Sequence, residues 1–410
     1  MSSTDLRQQL ESITRRAVSA VLPEPAVRAA LAGRAFPGRV FVAAIGKAAW
    51  RMASAAIDTV DAAGGVVVTR EGQSAGPLPG LTVLEASHPV PTSKSVEAAE
   101  AMLRLTEGLR ETDTVLLLLS GGGSALFEKP LIPLEELQML TEALLRSGAD
   151  IGEINLIRRR LSAVKAGRFA MRCAPARVLA LVLSDVLGDA PESIASGPVS
   201  PDPSTAAEAL AIAQKYRLPL SEQAAACLRL ETPKAVRGVD YRIIGSVRLL
   251  CAAALDICRA AGYEPLLLTD QMTGEAAEAG RAIGNRLREA ALAGRKTALV
   301  AGGETVVRVR GSGLGGRCQE LALAAAEALE GLPNAALMAI GSDGIDGPTD
   351  AAGGYVDGFT LSALRAKGLE ARDVLARNDA YHALEAVGAL VKTGPTGTNV
   401  NDLVVGLCGG

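Results

Sequence analysis

Apolar runs that stop on glycine constrain this chain more than any other feature. In "DTVLLLLSGGGSALFEKP" the leucines Leu116–Leu119 run straight into Ser120, Gly121, Gly122, Gly123 and Ser124. "RVFVAAIGKAAW" ends its apolar stretch on Gly46, "TALVAGGE" on Gly302 and Gly303, and "AALMAIGSDG" on Gly341. None of these runs alternates polar with apolar residues, so each reads as a strand covered on both faces. Stretches such as "SKSVEAAEAMLRLTEGL" and "GEAAEAGRAIGNRLREAALAG" lie among them and read as helices. Strands and helices in alternation predict an α/β chain with a mostly parallel sheet. In such sheets ligands bind beyond the carboxyl ends of the strands. A glycine there lets a ligand meet bare backbone, and the helix that follows offers unpaired N–H groups to an anion.

A chain of 410 residues exceeds what one core usually serves, so two domains are expected. The Pro-rich "GPVSPDPST" and the mixed segment after it give way to a second strand–helix series, which places the boundary at 236. The domains are then residues 1–236 and 237–410. A net charge of -3 with no basic tail argues against nucleic acid as a partner. No 18-residue apolar span and no secretory leader pattern are present, so no membrane role and a cytoplasmic location are expected. Six dispersed cysteines without a CxxC, and only two histidines, argue against a disulfide scaffold or a zinc site.

Polar residues collect at the predicted strand ends. Lys47, in "IGKAA", follows a strand-end glycine and can be held over an anion, although the hydroxyl and upstream glycine of a P-loop are missing. "INLIRRRLSAVKAGRFA" carries Arg158, Arg159, Arg160, Lys165 and Arg168, either a solvated helix face or the lining of an anion pocket. Asp185 and Asp189, in "LSDVLGDAPESIASGP", are placed to hold Mg²⁺ or to polarise a hydroxyl. In "GGETVVRVRGSGLGGRCQELALA", Gly311, Gly313 and Gly316 match GxGxxG by spacing. The nucleotide fingerprint needs an acid about 20 residues on, and Asp343 lies well beyond that. Arg317 and Gln319, at the next helix start, read as anion or substrate contacts. "GSDGIDGPTD" lacks the terminal glutamate of a calcium loop, so Asp343 and Asp346 suit a magnesium-bearing or nucleotide-facing loop. Thr396 and Thr398 lie in a glycine turn, and Asn399, Asn401 and Asp402 read as caps of the last element.

Taken in order, "IGKAA", "LLLLSGGGSAL", "RRRLSAVKAGRFA", "SDVLGDAPESIASGPVSPDPST", "GGETVVRVRGSGLGGRCQELALA", "GSDGIDGPTDAAGG" and "KTGPTGTNVNDL" resemble the class II glycerate kinases, the glycerate 2-kinase and MOFRL-domain family. The resemblance covers nearly the whole chain. It departs at Cys318, where asparagine is expected. It implies an N-terminal Rossmann-like domain with a mostly parallel sheet, a C-terminal MOFRL-type α/β domain, and an active site between them. It also implies ATP- and Mg²⁺-dependent phosphorylation of D-glycerate to 2-phosphoglycerate by a monomer or homodimer. Family motifs carry catalytic roles onto Lys47, Asp189 and Arg317. Substrate is expected at Ser120, Gly121, Gly122, Gly123, Ser124, Arg160, Lys165 and Arg168. Nucleotide is expected at Gly303, Glu304, Gly313, Gln319, Asp343, Asp346, Thr396 and Asn399, and metal at Asp185 and Asp189. Two competing readings are an NAD(P)H-dependent hydroxypyruvate reductase, a name some relatives carry, and a non-catalytic sensor of sugar acids or nucleotides.

Overall fold

The computed structural model describes residues 3–409 and divides into two compact units, Pro23–Ile244 and the remainder, in which residues up to Leu22 join Gly245 onward.

The first unit holds a six-stranded sheet: β1 (Val40–Ile45), β2 (Ala62–Arg70), β3 (Leu81–Ala86), β4 (Thr114–Leu119), β5 (Arg177–Leu183) and β6 (Val239–Gly245). Their order is β3-β2-β1-β4-β5-β6, and β1 to β5 pair in parallel. Successive residues enter opposite cores. Ile45, Leu117, Leu119 and Val182 pack with Met102 and Phe169 on one face. Ala44, Leu116, Leu118 and Leu181 pack with Val27, Ala49 and Met52 on the other. This two-sided cover explains the missing alternation. Residues Val115 to Leu119 are at most 1% exposed, and each such Val or Leu contributes about 1.5–3 kcal/mol by leaving water. Helices Leu134–Arg146, Ile151–Arg160, Ala206–Lys215 and Glu222–Arg229 form a separate small core. The boundary expected at 236 falls just ahead of β6, which is the sixth strand of this sheet, so the contacts carry the unit on to Ile244.

The second unit also has six strands: β7 (Glu264–Met272), β8 (Thr297–Gly303), β9 (Ala335–Gly341), β10 (Gly353–Asp357), β11 (Leu390–Val391) and β12 (Asp402–Cys408). Their order is β11-β10-β9-β12-β8-β7. The last strand, β12, runs antiparallel between β8 and β9, so its first residue, Asp402, pairs with Gly303 and Gly341 at their carboxyl ends. Helix Ser3–Ala20 belongs to this unit: Leu6, Leu10, Ile13 and Ala17 are buried, and the Thr14 hydroxyl reaches Met338 Sδ. Helices Ala276–Leu292 and Arg317–Leu329 approach closely because Gly280 has no side chain; a Cβ there would sit 2.1 Å from Leu321 O. No helix among the described residues is long and apolar enough to cross a membrane.

Candidate functional site

The strand order of the first sheet reverses between β1 and β4, which makes their carboxyl ends the topological switch point, where such sheets bind ligands. The two turns that leave these strands are locked together. Lys47 N–H donates to Gly121 O at 2.9 Å, Ser120 N–H to Ile45 O at 2.9 Å, and Ala48 N–H to Ser120 Oγ at 3.0 Å. Gly46 has φ +124°, and a Cβ on it would fall 2.2 Å from Ser120 Oγ and 2.4 Å from Ser120 O. Gly46→Ala is therefore expected to cost more than about 2 kcal/mol, read as a lowered denaturant midpoint.

The glycine loop is bare because other groups crowd it. A Cβ on Gly121 would lie 2.2 Å from Asp185 Oδ2, one on Gly122 3.1 Å from His88 Cδ2 and 3.3 Å from Lys47 Cγ, and one on Gly123 2.7 Å from Ala195 Cβ. Ala195, Ser196 and Gly197 all have positive φ, and Ser196 Oγ meets Ser124 Oγ at 2.8 Å, bracing the loop from behind. Asp189 has φ +55°, and its Oδ1 is buried without a hydrogen-bond partner. A left-handed non-glycine residue carrying an unmet buried oxygen is unusual in a loop.

The basic run divides sharply. Arg160 is 0% exposed and donates to Leu230 O at 2.6 Å and Ser204 O at 2.8 Å. Lys165 is also 0% exposed and binds Glu128 Oε2 at 2.5 Å and Phe127 O at 3.1 Å. Arg168 ties Arg159 O and Ser162 O. These three, expected at the substrate, make internal hydrogen bonds to backbone carbonyls and to Glu128, while Arg160 Nε stays buried without a partner. Arg158 is the cation that turns to the loop, donating to Ser124 O at 3.0 Å.

His88 joins this group without a sequence signal beyond "ASHPVP". It sits beside Gly122, and burial together with the charges of Lys47, Arg70 and Arg158 pushes its pKa down to about 4. An unfolded histidine at 6.5 takes a proton that the folded ring refuses until about 4. Stability is therefore lost as pH falls through that window. The midpoint of wild type is expected to fall relative to that of His88→Gln as pH drops through this window, because the variant lacks this slope.

In the second unit Arg317 opens helix Arg317–Leu329 and grips Asp402, with Nε to Oδ2 at 2.6 Å and Nη2 to Oδ1 at 3.0 Å. Arg317 Nη1 lies 3.3 Å from Glu304 Oε1, and Asn401 Nδ2 donates to Glu304 Oε2 at 3.3 Å. Burial works against the Arg317 charge, and Asp402 outweighs it, holding the guanidinium above its ordinary range. Asp343 lies next to this group: a Cβ on Gly341 would be 3.2 Å from Asp343 Oδ1 and 3.7 Å from Asp402 Oδ1. Thr396 N–H donates to Asp343 O, and Asn399 Oδ1 accepts from Asn401 N–H. Asn401 Oδ1 is buried and unpartnered. Glu304, Arg317 and Asp343, singled out in the sequence, lie together here with Asn401 and Asp402, which it read as caps.

Four expected nucleotide contacts have structural duties. Asp346, 2% exposed, accepts from Cys318 N–H at 3.1 Å and Gln319 N–H at 2.8 Å, which satisfies the helix start itself. Gln319 donates to Asp346 O and Thr349 Oγ1. Gly313 N–H donates to Arg377 O, and Cβ atoms on Gly311 and Gly313 would strike residues 377 and 379 within 2.5 Å. The GxGxxG spacing thus serves close backbone packing. Gly303, with φ +152°, packs on Met272, where a Cβ would lie 2.2 Å from its O.

The family model for a domain of unknown function, DUF4147, matches residues 9–229, and that for the MOFRL family matches residues 297–402. The chain is 48% identical over 410 residues to a D-glycerate 2-kinase of Thermotoga maritima, covering 98% of each. It is 41% identical over 389 residues to a glycerate 2-kinase of Pyrococcus horikoshii, covering 90% of this chain and 87% of the other. The crystal structure of a Thermotoga maritima glycerate kinase superposes with a TM-score of 0.95 at 47% identity, covering 99% of this chain and 100% of that one.

Proposed function

This chain belongs to the class II glycerate kinase family, and on that premise we propose that it transfers the γ-phosphoryl group of ATP to the 2-hydroxyl of D-glycerate, giving 2-phosphoglycerate and ADP. The full-length likeness to a D-glycerate 2-kinase carries this reading. The geometry supplies residues for it. Lys47, Arg158 and the Gly121–Gly123 turn suit a carboxylate, since both cationic side chains lie against this bare turn. Asp189 is assigned to the reacting hydroxyl, whose proton its carboxylate accepts as the new O–P bond forms. Arg317, fixed by Asp402, offers its remaining N–H groups to phosphate oxygens of the nucleotide.

The family implies magnesium. Asp189 Oδ1 is a buried carboxylate oxygen without a partner, which fits a hard cation. Among the described residues no group of three or more His, Cys, Asp or Glu is gathered, and an ion that keeps several waters and binds phosphate needs only one or two carboxylates. Asp185 and Asp189 would hold it, and it would neutralise charge on the phosphates.

ADP release in the presence of ATP and Mg²⁺ is expected to depend on added D-glycerate. Hydroxypyruvate is expected to leave NAD(P)H absorbance unchanged, because the glycines that suggested a dinucleotide pack against residues 377–379. Hydroxypyruvate-dependent oxidation of NAD(P)H without D-glycerate-dependent ADP release would reverse the assignment.

A further inference from the structure

We propose that His88 contacts the non-reacting 3-hydroxyl of the acceptor acid and so sets the preference for a dihydroxy acid over a simple 2-hydroxy acid. This rests on the kinase reading above and deepens it. The ring lies along the bare turn: Cδ2 and Nε2 are 3.1 and 3.4 Å from where a Gly122 Cβ would be. The side chain is only partly buried, and neither ring nitrogen has a hydrogen-bond partner among the described residues. Such a polar edge beside Lys47 is available to a ligand held by the glycine turn.

The charges around the ring are Lys47, Arg70 and Arg158, all cationic. Cations serve a carboxylate, but they discriminate poorly between acids that differ by one hydroxyl. A neutral imidazole supplies one donor and one acceptor, the complement a hydroxyl needs. The same three cations, with burial, keep the ring neutral at ordinary pH, so it is a poor acceptor for the proton of the reacting hydroxyl. That leaves the other hydroxyl as its partner.

The test uses wild type, His88→Ala and His88→Gln, with D-glycerate as substrate and D-lactate, which lacks the 3-hydroxyl, as competitor. His88→Ala is expected to raise KM for D-glycerate about 10- to 100-fold, with a smaller change in kcat, while the Ki of D-lactate moves by less than about threefold. His88→Gln is expected to recover part of the KM effect, and both variants keep the wild-type pH–rate profile. Equal weakening of both acids, or a lost limb in the pH profile, would overturn the assignment. Wild type that releases no ADP with D-glycerate would remove the kinase reading itself, a different failure.

Discussion

Arg317→Ala is expected to lower kcat/KM for D-glycerate phosphorylation about a thousandfold or more, the range found when an arginine that faces a transferring phosphoryl group is removed. The side chain is unusually well fixed for this purpose. Two of its nitrogens are held by Asp402, which is 1% exposed, and a third lies by Glu304. A guanidinium anchored this way has little orientational freedom left to lose when phosphate binds. Removing it also leaves Asp402 buried without its partner, which costs about 2–3 kcal/mol, less than for a fully buried pair because Arg317 is a third exposed. Two readouts separate the effects. Circular dichroism should show a folded variant with a lowered melting temperature, while single-turnover kinetics show the larger loss. Arg317→Lys keeps the charge but not the fork that grips Asp402, so it is expected to fall between wild type and alanine. Turnover within about threefold of wild type for Arg317→Ala would remove Arg317 from the chemistry.

Lys47→Ala is expected to lower kcat/KM at least about a hundredfold with almost no change in melting temperature. The turn around Lys47 is held by backbone and by Ser120, through Lys47 N–H to Gly121 O and Ala48 N–H to Ser120 Oγ. Its ammonium makes no salt bridge among the described residues. The substitution therefore removes a charge from the proposed anion site and leaves the fold's ties in place. A large loss of stability in this variant would mean that the ammonium serves the fold instead.

Much of this was legible because a strand buried on both sides leaves a strong trace. The runs that became β1, β4, β8 and β9 lack alternation for the reason the two cores of the first sheet display: neighbouring residues such as Leu116 and Leu117 enter opposite cores. The turns after those strands then mark the ligand end of each sheet. What a sequence does not carry is direction in space. Arg158, Arg159 and Arg160 are consecutive on a helix, so their side chains point about 100° apart, and only packing decides that Arg158 meets Ser124 while Arg160 is sealed against Leu230 O. Asp402 looked like a cap because nothing local reveals that β12 inserts between β8 and β9 and delivers its first residue to their carboxyl ends. Helix Ser3–Ala20 carries a generic apolar face, with no mark that it joins the C-terminal unit. The GxGxxG spacing is ambiguous for a related reason: glycine is needed equally for a pyrophosphate and for the backbone at residue 377.

The most direct measurement is the structure of the product. Protein incubated with ATP, Mg²⁺ and D-glycerate, then followed by phosphorus and proton NMR, should yield a phosphate ester whose phosphorus couples to the lone proton on C2, together with an equal amount of ADP. Phosphorus coupled to the C3 methylene, or no phosphorylated glycerate at all from folded protein, would contradict a glycerate 2-kinase.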